Sequence, residues 1–200
     1  DRHKEKIEAQ VVGFRDNFVL LMALDSVHLI HPGCKVSSRR NNNFVPCGPA
    51  LLGRIIDGMG RPIDGKGPLL TPRREGFYAE PPNPLSRSMI SEPFTTGIKS
   101  IDTFIPLGVG QRVGIFSGSG VGKSILLGMI ARGSDSDINV ISLVGERGRE
   151  LREFVEKDLG PEGMKKTVIV VSTSDQPAPM RIRASILATA IAEGFRNEGS

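Results

Sequence analysis

The sequence is poor in aromatic residues and has no long apolar run. It contains no tryptophan and a single tyrosine, Tyr78, among 200 residues. Surfaces that bind single-stranded nucleic acid combine positive charge with aromatic side chains on which bases stack, so this composition argues against a nucleic-acid-binding protein although the net charge is +4. The longest apolar runs are far shorter than the roughly 18 residues of a membrane span, and the charged start, Asp1–Lys6, lacks the apolar region of a signal peptide. We therefore expect a cytoplasmic protein.

Cysteine is also scarce, which is typical of a protein from a reducing compartment. The only two cysteines are Cys34 and Cys47. With His28 and His31 they form an H-x2-H-x2-C spacing followed by a later cysteine, which could in principle bind zinc. Zinc sites usually pair their ligands more tightly, and His28 falls on a predicted strand, so the pattern argues against a zinc site.

The first part of the chain predicts short β-strands separated by turns. Apolar segments at 8–14, 17–22 and 27–30 have the spacing of a sandwich or barrel, so residues 1–36 are predicted to be part of a β-barrel. Residues 37–94 are predicted to be a connector, with one strand at 51–57 and a proline-rich linker after it. Residues 95–200 are predicted to form the second domain.

In this second domain the pattern changes to strands alternating with helices. The predicted strands are Gln111–Phe116, Ile138–Val144 and Thr167–Val171. The predicted helices are a buried one from Lys123 to Arg132, one that carries Leu151 to Leu159 and ends at Gly160-Pro161, and one that carries Met180 to Ile191. This order indicates a doubly wound α/β fold with a parallel sheet, whose ligand site lies at the carboxyl ends of the strands.

A glycine-rich loop, Gly118-Ser-Gly-Val-Gly-Lys-Ser124, joins the first strand to the first helix. A triphosphate needs inward-pointing backbone N–H groups, a helix N-terminus behind them and a mobile ammonium group. Glycines permit the close approach of the backbone, Lys123 would reach the outer phosphates, and the hydroxyl of Ser124 would bind Mg²⁺. The alternative is an ordinary turn, against which the apolar strand and helix on either side argue. The candidate binding residues are Ser117, Gly118, Ser119, Gly120, Val121, Gly122, Lys123, Ser124 and Ile125.

A second group of charged residues, Gly145-Glu-Arg-Gly-Arg-Glu150, follows the next strand. Glu146 emerges at the same edge of the sheet as Lys123, where a carboxylate can activate a water molecule for attack on the γ-phosphate. Arg147 can neutralise charge that develops on the phosphoryl group. A mixed-charge start of a helix is the alternative, but the position one strand after a phosphate loop favours catalysis.

Four motifs together resemble the rotary P-loop ATPases related to the catalytic subunit of ATP synthase. They are Gly118–Ser124, Gly145–Glu150, Thr96–Asp102 and Leu52–Gly58. Three further segments are similar to type III protein-export ATPases, and most similar to the flagellar branch: Pro81–Arg87, Gly160–Lys165 and Ser172–Pro177.

The resemblance implies a RecA-like P-loop core, preceded by part of an N-terminal β-barrel, that binds ATP and Mg²⁺ and assembles into a homohexamer. It implies ATP hydrolysis that powers flagellar protein export at the inner face of the cytoplasmic membrane. The implied partners are export apparatus, stalk and regulator proteins, export substrates and chaperones, and no nucleic acid. Lys123, Ser124, Glu146 and Arg147 match the family's phosphate lysine, magnesium hydroxyl, catalytic glutamate and γ-phosphate arginine, and Glu150 matches a further site carboxylate.

The resemblance also predicts which parts are missing. In this family the magnesium-associated aspartate lies on the strand after the helix that carries Met180, and the neighbour's arginine and the adenine pocket follow later. We therefore expect residues 1–200 to be a piece of a longer protein that does not hydrolyse ATP usefully by itself. An injectisome ATPase, a synthase-type subunit, a hexameric nucleic-acid motor and a non-hydrolysing ring subunit are the alternative interpretations.

Overall fold

The computed structural model of the chain describes residues 6–199, with the exception of 26, 29, 39–43, 72 and 119. The strands are β1 (Ala9–Arg15), β2 (Phe18–Ala23), β3 (Phe44–Pro46), β4 (Ile55–Asp57), β5 (Arg74–Gly76), β6 (Pro93–Phe94), β7 (Leu107–Gly108), β8 (Asn139–Val144) and β9 (Thr167–Ser172). The α-helices are α1 (Lys99–Phe104), α2 (Lys123–Gly133), α3 (Gly148–Glu153), α4 (Gly160–Lys165) and α5 (Ala178–Asn197). Short 3-10 turns cover Pro49–Leu51 and Pro84–Ser86, and a π-helical turn covers Phe154–Leu159.

The core is a three-stranded parallel sheet in the order β4–β9–β8. The central strand, β9, is rich in β-branched residues and buried along its whole length, as expected for a strand covered on both faces. Val168 and Val170 pack towards Leu187 and Ile191 of α5, whereas Ile169 packs on the other face. That other face is covered by Ala131, Phe154 and Leu159, from α2 and the π-helical turn. The predicted α/β fold with a parallel sheet is confirmed.

The strand predicted at 51–57 is shorter than expected and has a different place in the fold. A 3-10 turn at Pro49–Leu51 precedes β4, which occupies only Ile55–Asp57. β4 runs parallel to β9 with Ile55 opposite Ile169, and the Ile169 N–H donates to the carbonyl oxygen of Arg54 at 3.1 Å. This part of the segment predicted as a connector is therefore an edge strand of the central sheet.

The strand predicted at Gln111–Phe116 is not formed. A β-strand needs a neighbour whose N–H and C=O groups meet its own, and no described strand runs beside this segment. Its residues are exposed, and Phe116 keeps 93% of its surface. The prediction that α2 is buried is wrong as well, because Gly128 and Ala131 are its only buried residues and Ile125 is 56% exposed.

The N-terminal strands form an antiparallel hairpin, with Ala9 of β1 opposite Ala23 of β2. A third strand was predicted at 27–30. Leu29 lies outside the described residues, and the others form a turn in which the Ile30 N–H donates to the Val27 oxygen at 3.0 Å. The hairpin leaves large apolar side chains such as Phe14 exposed. Its membership of a β-barrel stays a prediction.

Gly160 and Pro161 restart a helix rather than end the helical segment. The π-helical turn ends at Leu159, Gly160 has a positive φ of 66°, and Pro161 lies in the first turn of α4, where its missing N–H costs nothing. The π-helical turn also packs against α2, where a Cβ at Gly128 would lie 2.7 Å from the backbone oxygen of Asp158. Gly128 therefore permits close packing of α2 against the π-helical turn.

None of the helices in the described part of the chain is both long enough and apolar enough to cross a membrane.

Candidate functional site

The glycine-rich loop leads directly into the N-terminus of α2. Gly122 precedes the helix with a φ of 95°, and Gly120 has a φ of 75°, so both adopt a backbone conformation that strains any other residue. A Cβ at either position would meet nothing within 4 Å. These glycines are therefore required by the backbone turn and not by crowding. Ser119, a predicted binding residue, lies outside the described residues.

The other predicted loop residues lie on an open surface at this helix start. Lys123, Ser124, Ile125 and Val121 are exposed, and the Ser117 hydroxyl donates to the Gly118 oxygen at 3.3 Å. The first N–H groups of a helix have no acceptor within the helix, so the start of α2 offers donors to an anion. The structure thus brings together donors and an ammonium group, as the motif predicts.

The donors present fit Mg²⁺ bound together with a nucleotide. Mg²⁺ usually takes one or two protein oxygens and completes its shell with phosphate oxygens and water. Ser124 supplies a hydroxyl at the helix start, and the described residues contain no group of three or more His, Cys, Asp or Glu that could hold a metal ion alone.

Glu146 is held in place by the loop that follows β9. After β8 ends at Val144, Gly145 turns the chain with a φ of 79° and donates its N–H to the Ser172 oxygen at 2.8 Å. The Ser174 N–H then donates to the backbone carbonyl oxygen of Glu146 at 3.1 Å. The backbone of Glu146 is therefore fixed at the carboxyl edge of the sheet.

Three features set the charge state of Glu146. Partial burial raises the pKa of its carboxyl above the ordinary value, and the neighbouring Glu150 carboxyl raises this pKa further. The Lys123 ammonium lowers the pKa of Glu146 and so opposes both. Lys123 begins α2 and Glu146 follows the carboxyl end of β8, and the ammonium lies close enough to act on that carboxyl. A raised pKa makes Glu146 a stronger base than an ordinary carboxylate.

Arg147 stands at the start of α3 with an exposed side chain. Its Nη1 lies 3.8 Å from Oε1 of Glu150, at the long limit of an ion pair. An exposed pair of this kind contributes little, so the guanidinium is available to other anions near Glu146.

The two cysteines of the zinc spacing have different surroundings in the structure. Cys47 is completely buried, whereas Cys34 is exposed. Burial, with a smaller contribution from Glu75, raises the pKa of Cys47 to about 11, which keeps the thiol protonated near neutral pH. A protonated, enclosed thiol is a poor zinc ligand, and no suitable group of ligands surrounds it in this part of the chain.

A cavity among the described residues lies away from this site. It has a volume of about 420 Å³ and is lined by Phe94, Asp135, Ile138 and Phe195, among others. Ile138 directly precedes β8, so the cavity is at the amino edge of the sheet, opposite Glu146. The chemistry-bearing residues therefore lie outside it.

Comparison with known proteins supports the assignment of this edge as a nucleotide site. Residues 97–200, just over half of the chain, match the nucleotide-binding domain of the ATP synthase alpha/beta family. The chain belongs to this family. The matched region contains the glycine-rich loop, Glu146 and the loop that follows β9.

The relatives of this chain include flagellum-specific ATP synthases and type 3 secretion system ATPases. The chain is 51% identical to the flagellum-specific ATP synthase of Bacillus subtilis, over 96% of this chain and 44% of that protein. It is 49% identical to the SPI-2 type 3 secretion system ATPase of Salmonella typhimurium, over 96% of this chain and 44% of that protein. The assembled ATPase EscN from the type III secretion system of enteropathogenic E. coli superimposes with a TM-score of 0.89 at 44% identity, over 98% of this chain and 48% of that chain. The chain thus spans less than half of the length of these family members.

Lys123, Glu146 and Arg147 are candidates that the sequence predicts, whereas the contact between Ser174 and Glu146 is not predicted by it. That contact is made by a backbone N–H, so no side-chain type marks it in the sequence. The sequence feature that could have indicated this contact is the run of turn-forming residues just after β9.

Proposed function

We propose that the protein containing this chain is a type III protein-export ATPase of the flagellar branch, which hydrolyses MgATP to drive protein export. The observation that carries the proposal is the position of Glu146, fixed by backbone hydrogen bonds at the carboxyl edge of the sheet and close enough to Lys123 for the ammonium to act on its carboxyl. The relatives named as flagellum-specific and type 3 secretion enzymes support the export role.

Each residue of the site has a task that follows from its position. Lys123 and the N–H groups at the start of α2 bind the outer phosphates of ATP. Glu146 orients the attacking water and accepts its proton, and Arg147 neutralises charge on the transferring phosphoryl group. The Ser124 hydroxyl would hold Mg²⁺, which would supply further neutralisation of that charge when bound.

The assembly and the domain division are part of the same proposal. Structures described as assembled EscN, and as EscN with its central stalk EscO, support a homohexamer that contacts a stalk protein. We place part of a β-barrel in residues 1–36 and the nucleotide-binding domain in 95–200, with β4 of the intervening segment added to its sheet. The proposal also includes a cytoplasmic location, peripheral to the membrane. Its further partners are export apparatus proteins, regulators, chaperones and export substrates.

The decisive experiment replaces Glu146 by Gln in the whole protein. ATP binding is expected to persist while turnover falls by several orders of magnitude, because the positioned base is lost and the loop is intact. Steady-state ATPase assays and equilibrium binding of a fluorescent ATP analogue measure the two effects. Glu153→Gln, which breaks an exposed ion pair with Lys157 (2.7 Å), is the matched control. Turnover of Glu146→Gln equal to that of the control would overturn the proposal.

An injectisome ATPase is the second candidate, because the Salmonella relative is nearly as similar as the Bacillus one. Deletion of the gene separates the two. Loss of flagellar filaments with normal effector secretion supports the flagellar branch, and the reverse result supports the injectisome.

A further inference from the structure

The contact between Ser174 and Glu146 carries an inference that rests on the proposed function and extends it. The paired register of β8 and β9 ends with Val144 opposite Ser172. Two more backbone bonds continue past that end, from the Gly145 N–H to the Ser172 oxygen and from the Ser174 N–H to the Glu146 oxygen. The second bond is the one that reaches the proposed base itself.

The segment that donates this bond is a tight turn between two packed elements. The Gln176 N–H donates to the Thr173 oxygen at 3.1 Å, so Ser174 is the second residue of a β-turn. Hydrogen bonds, first of all from the Thr173 hydroxyl, hold the pKa of Asp175 below its ordinary value. The turn is fixed at one end by the buried β9 and at the other by α5, whose start at Pro179 and Met180 is buried.

The side chain of Ser174 takes no part in this contact. It is exposed, and its hydroxyl makes no hydrogen bond to any residue that the structure describes. Only the backbone N–H matters, so every residue type except proline could provide it.

We propose that Ser174 is a positioning residue, whose backbone N–H holds the carbonyl of Glu146 so that its carboxylate faces the γ-phosphate bound at the loop before α2. Glu146 follows a glycine with a positive φ, a point where the chain turns sharply and needs external support. A displacement of about 1 Å in a catalytic group can lower a rate by about 100-fold. The bond therefore acts on turnover rather than on ATP affinity.

Proline at position 174 tests the role of this single N–H. The second position of a β-turn favours proline, because the required φ is close to the one that the ring imposes. The same chain already uses proline there, at Pro32 and Pro84, in turns closed by bonds from Cys34 to His31 and from Ser86 to Asn83. Ser174→Pro thus keeps the turn and removes the donor, whereas Ser174→Ala keeps both.

The measurement compares these two variants in the whole protein. We expect kcat of Ser174→Pro to be roughly 10- to 100-fold below that of Ser174→Ala, with equal affinity for the fluorescent ATP analogue. In a Glu146→Gln background, under single-turnover conditions, the two variants are expected to have equal rates, because the bond acts through Glu146. Equal kcat in the native background, or an equal loss in both backgrounds, would overturn the inference.

Two controls keep the result interpretable. If Ser174→Pro does not fold, an amide-to-ester replacement at position 174 removes the N–H with less change in shape, and the same outcomes apply. If Glu146→Gln itself keeps full turnover, the proposed function fails. If Glu146→Gln is inactive while Ser174→Pro equals Ser174→Ala, only the positioning role fails.

Discussion

Asp64 contacts β4, one outer strand of the central sheet, whereas Glu146 follows β8, the other outer strand. Their surroundings shift the pKa values of the two carboxyls in opposite directions. Asp64 accepts hydrogen bonds from Nε of Arg54 at 2.7 Å, from Nη2 of Arg54 at 3.1 Å, and from the backbone N–H groups of Ile55 and Lys66. These bonds hold the pKa of Asp64 far below its ordinary range, although its side chain is only 4% exposed.

Glu146 is also partly buried, and here burial is the main cause that raises its pKa; the neighbouring Glu150 carboxyl adds to this effect, and only the Lys123 ammonium opposes it. The comparison teaches that burial alone does not decide the charge of an acid. An acid whose lone pairs are filled by donors stays ionised and holds structure, whereas one left short of donors can exchange a proton. Each prediction below tests this division of roles.

The largest expected effect is that of Asp64→Asn on stability. The change leaves the Arg54 guanidinium, only 12% exposed, without its charge partner, which typically costs about 3–5 kcal/mol of unfolding free energy. Chemical denaturation of the whole protein measures the loss. The ATPase rate per folded molecule is expected to stay at the native value, in contrast to Glu146→Gln. A loss no larger than that of Glu153→Gln would show that Asp64 is not a structural acid.

The next largest effect is the pH dependence of the stability difference between the native protein and Asp64→Asn. The pKa of Asp64 is lower in the folded than in the unfolded state, so its contribution to stability is complete above the unfolded value near 3.9 and declines as the pH falls towards the folded value. The difference in unfolding free energy between the native protein and Asp64→Asn is therefore expected to shrink below about pH 4. Denaturation curves collected from pH 7 to pH 3 measure it. A difference independent of pH would refute the role of the charge.

The smallest effect is a shift in the pH profile of turnover. Glu150→Gln removes a neighbour that raises the pKa of Glu146, so the acidic limb of kcat is expected to move to lower pH. Glu156→Gln, in an exposed pair with Arg152 (2.7 Å), is the control. A shift to higher pH in Glu150→Gln alone would contradict the arrangement.

The elements that the sequence predicts well are those with a strong local pattern. The helix from Lys123, the strand that ends at Val144 and the long helix from Ala178 carry their own apolar patterns. The roles of the phosphate loop and Glu146 stay predictions from residue spacing, which rest on the shared edge at the carboxyl ends of parallel strands.

The features that failed depend on distant partners. The apolar pattern at Gln111–Phe116 is suited to a strand, but pairing requires a neighbour that no described element provides. The pairing of β4 with β9 joins segments far apart in sequence, which no local pattern encodes. The sequence does not predict the contact from Ser174 to Glu146 for the same reason, since it joins backbone groups on two different loops.

The pairing of β4 with β9 also orders events during synthesis of the chain. The turn that joins Arg54 to Asp64 uses neighbouring residues and can close as soon as it leaves the ribosome. Ile56, fully enclosed in the finished fold, forms a local bridge with Pro62 but lacks its parallel partner strand until Thr167–Ser172 has been made. At roughly 5–20 residues per second, that wait is on the order of ten seconds. During this interval the apolar edge of the nascent chain is open to chaperones and to misassociation.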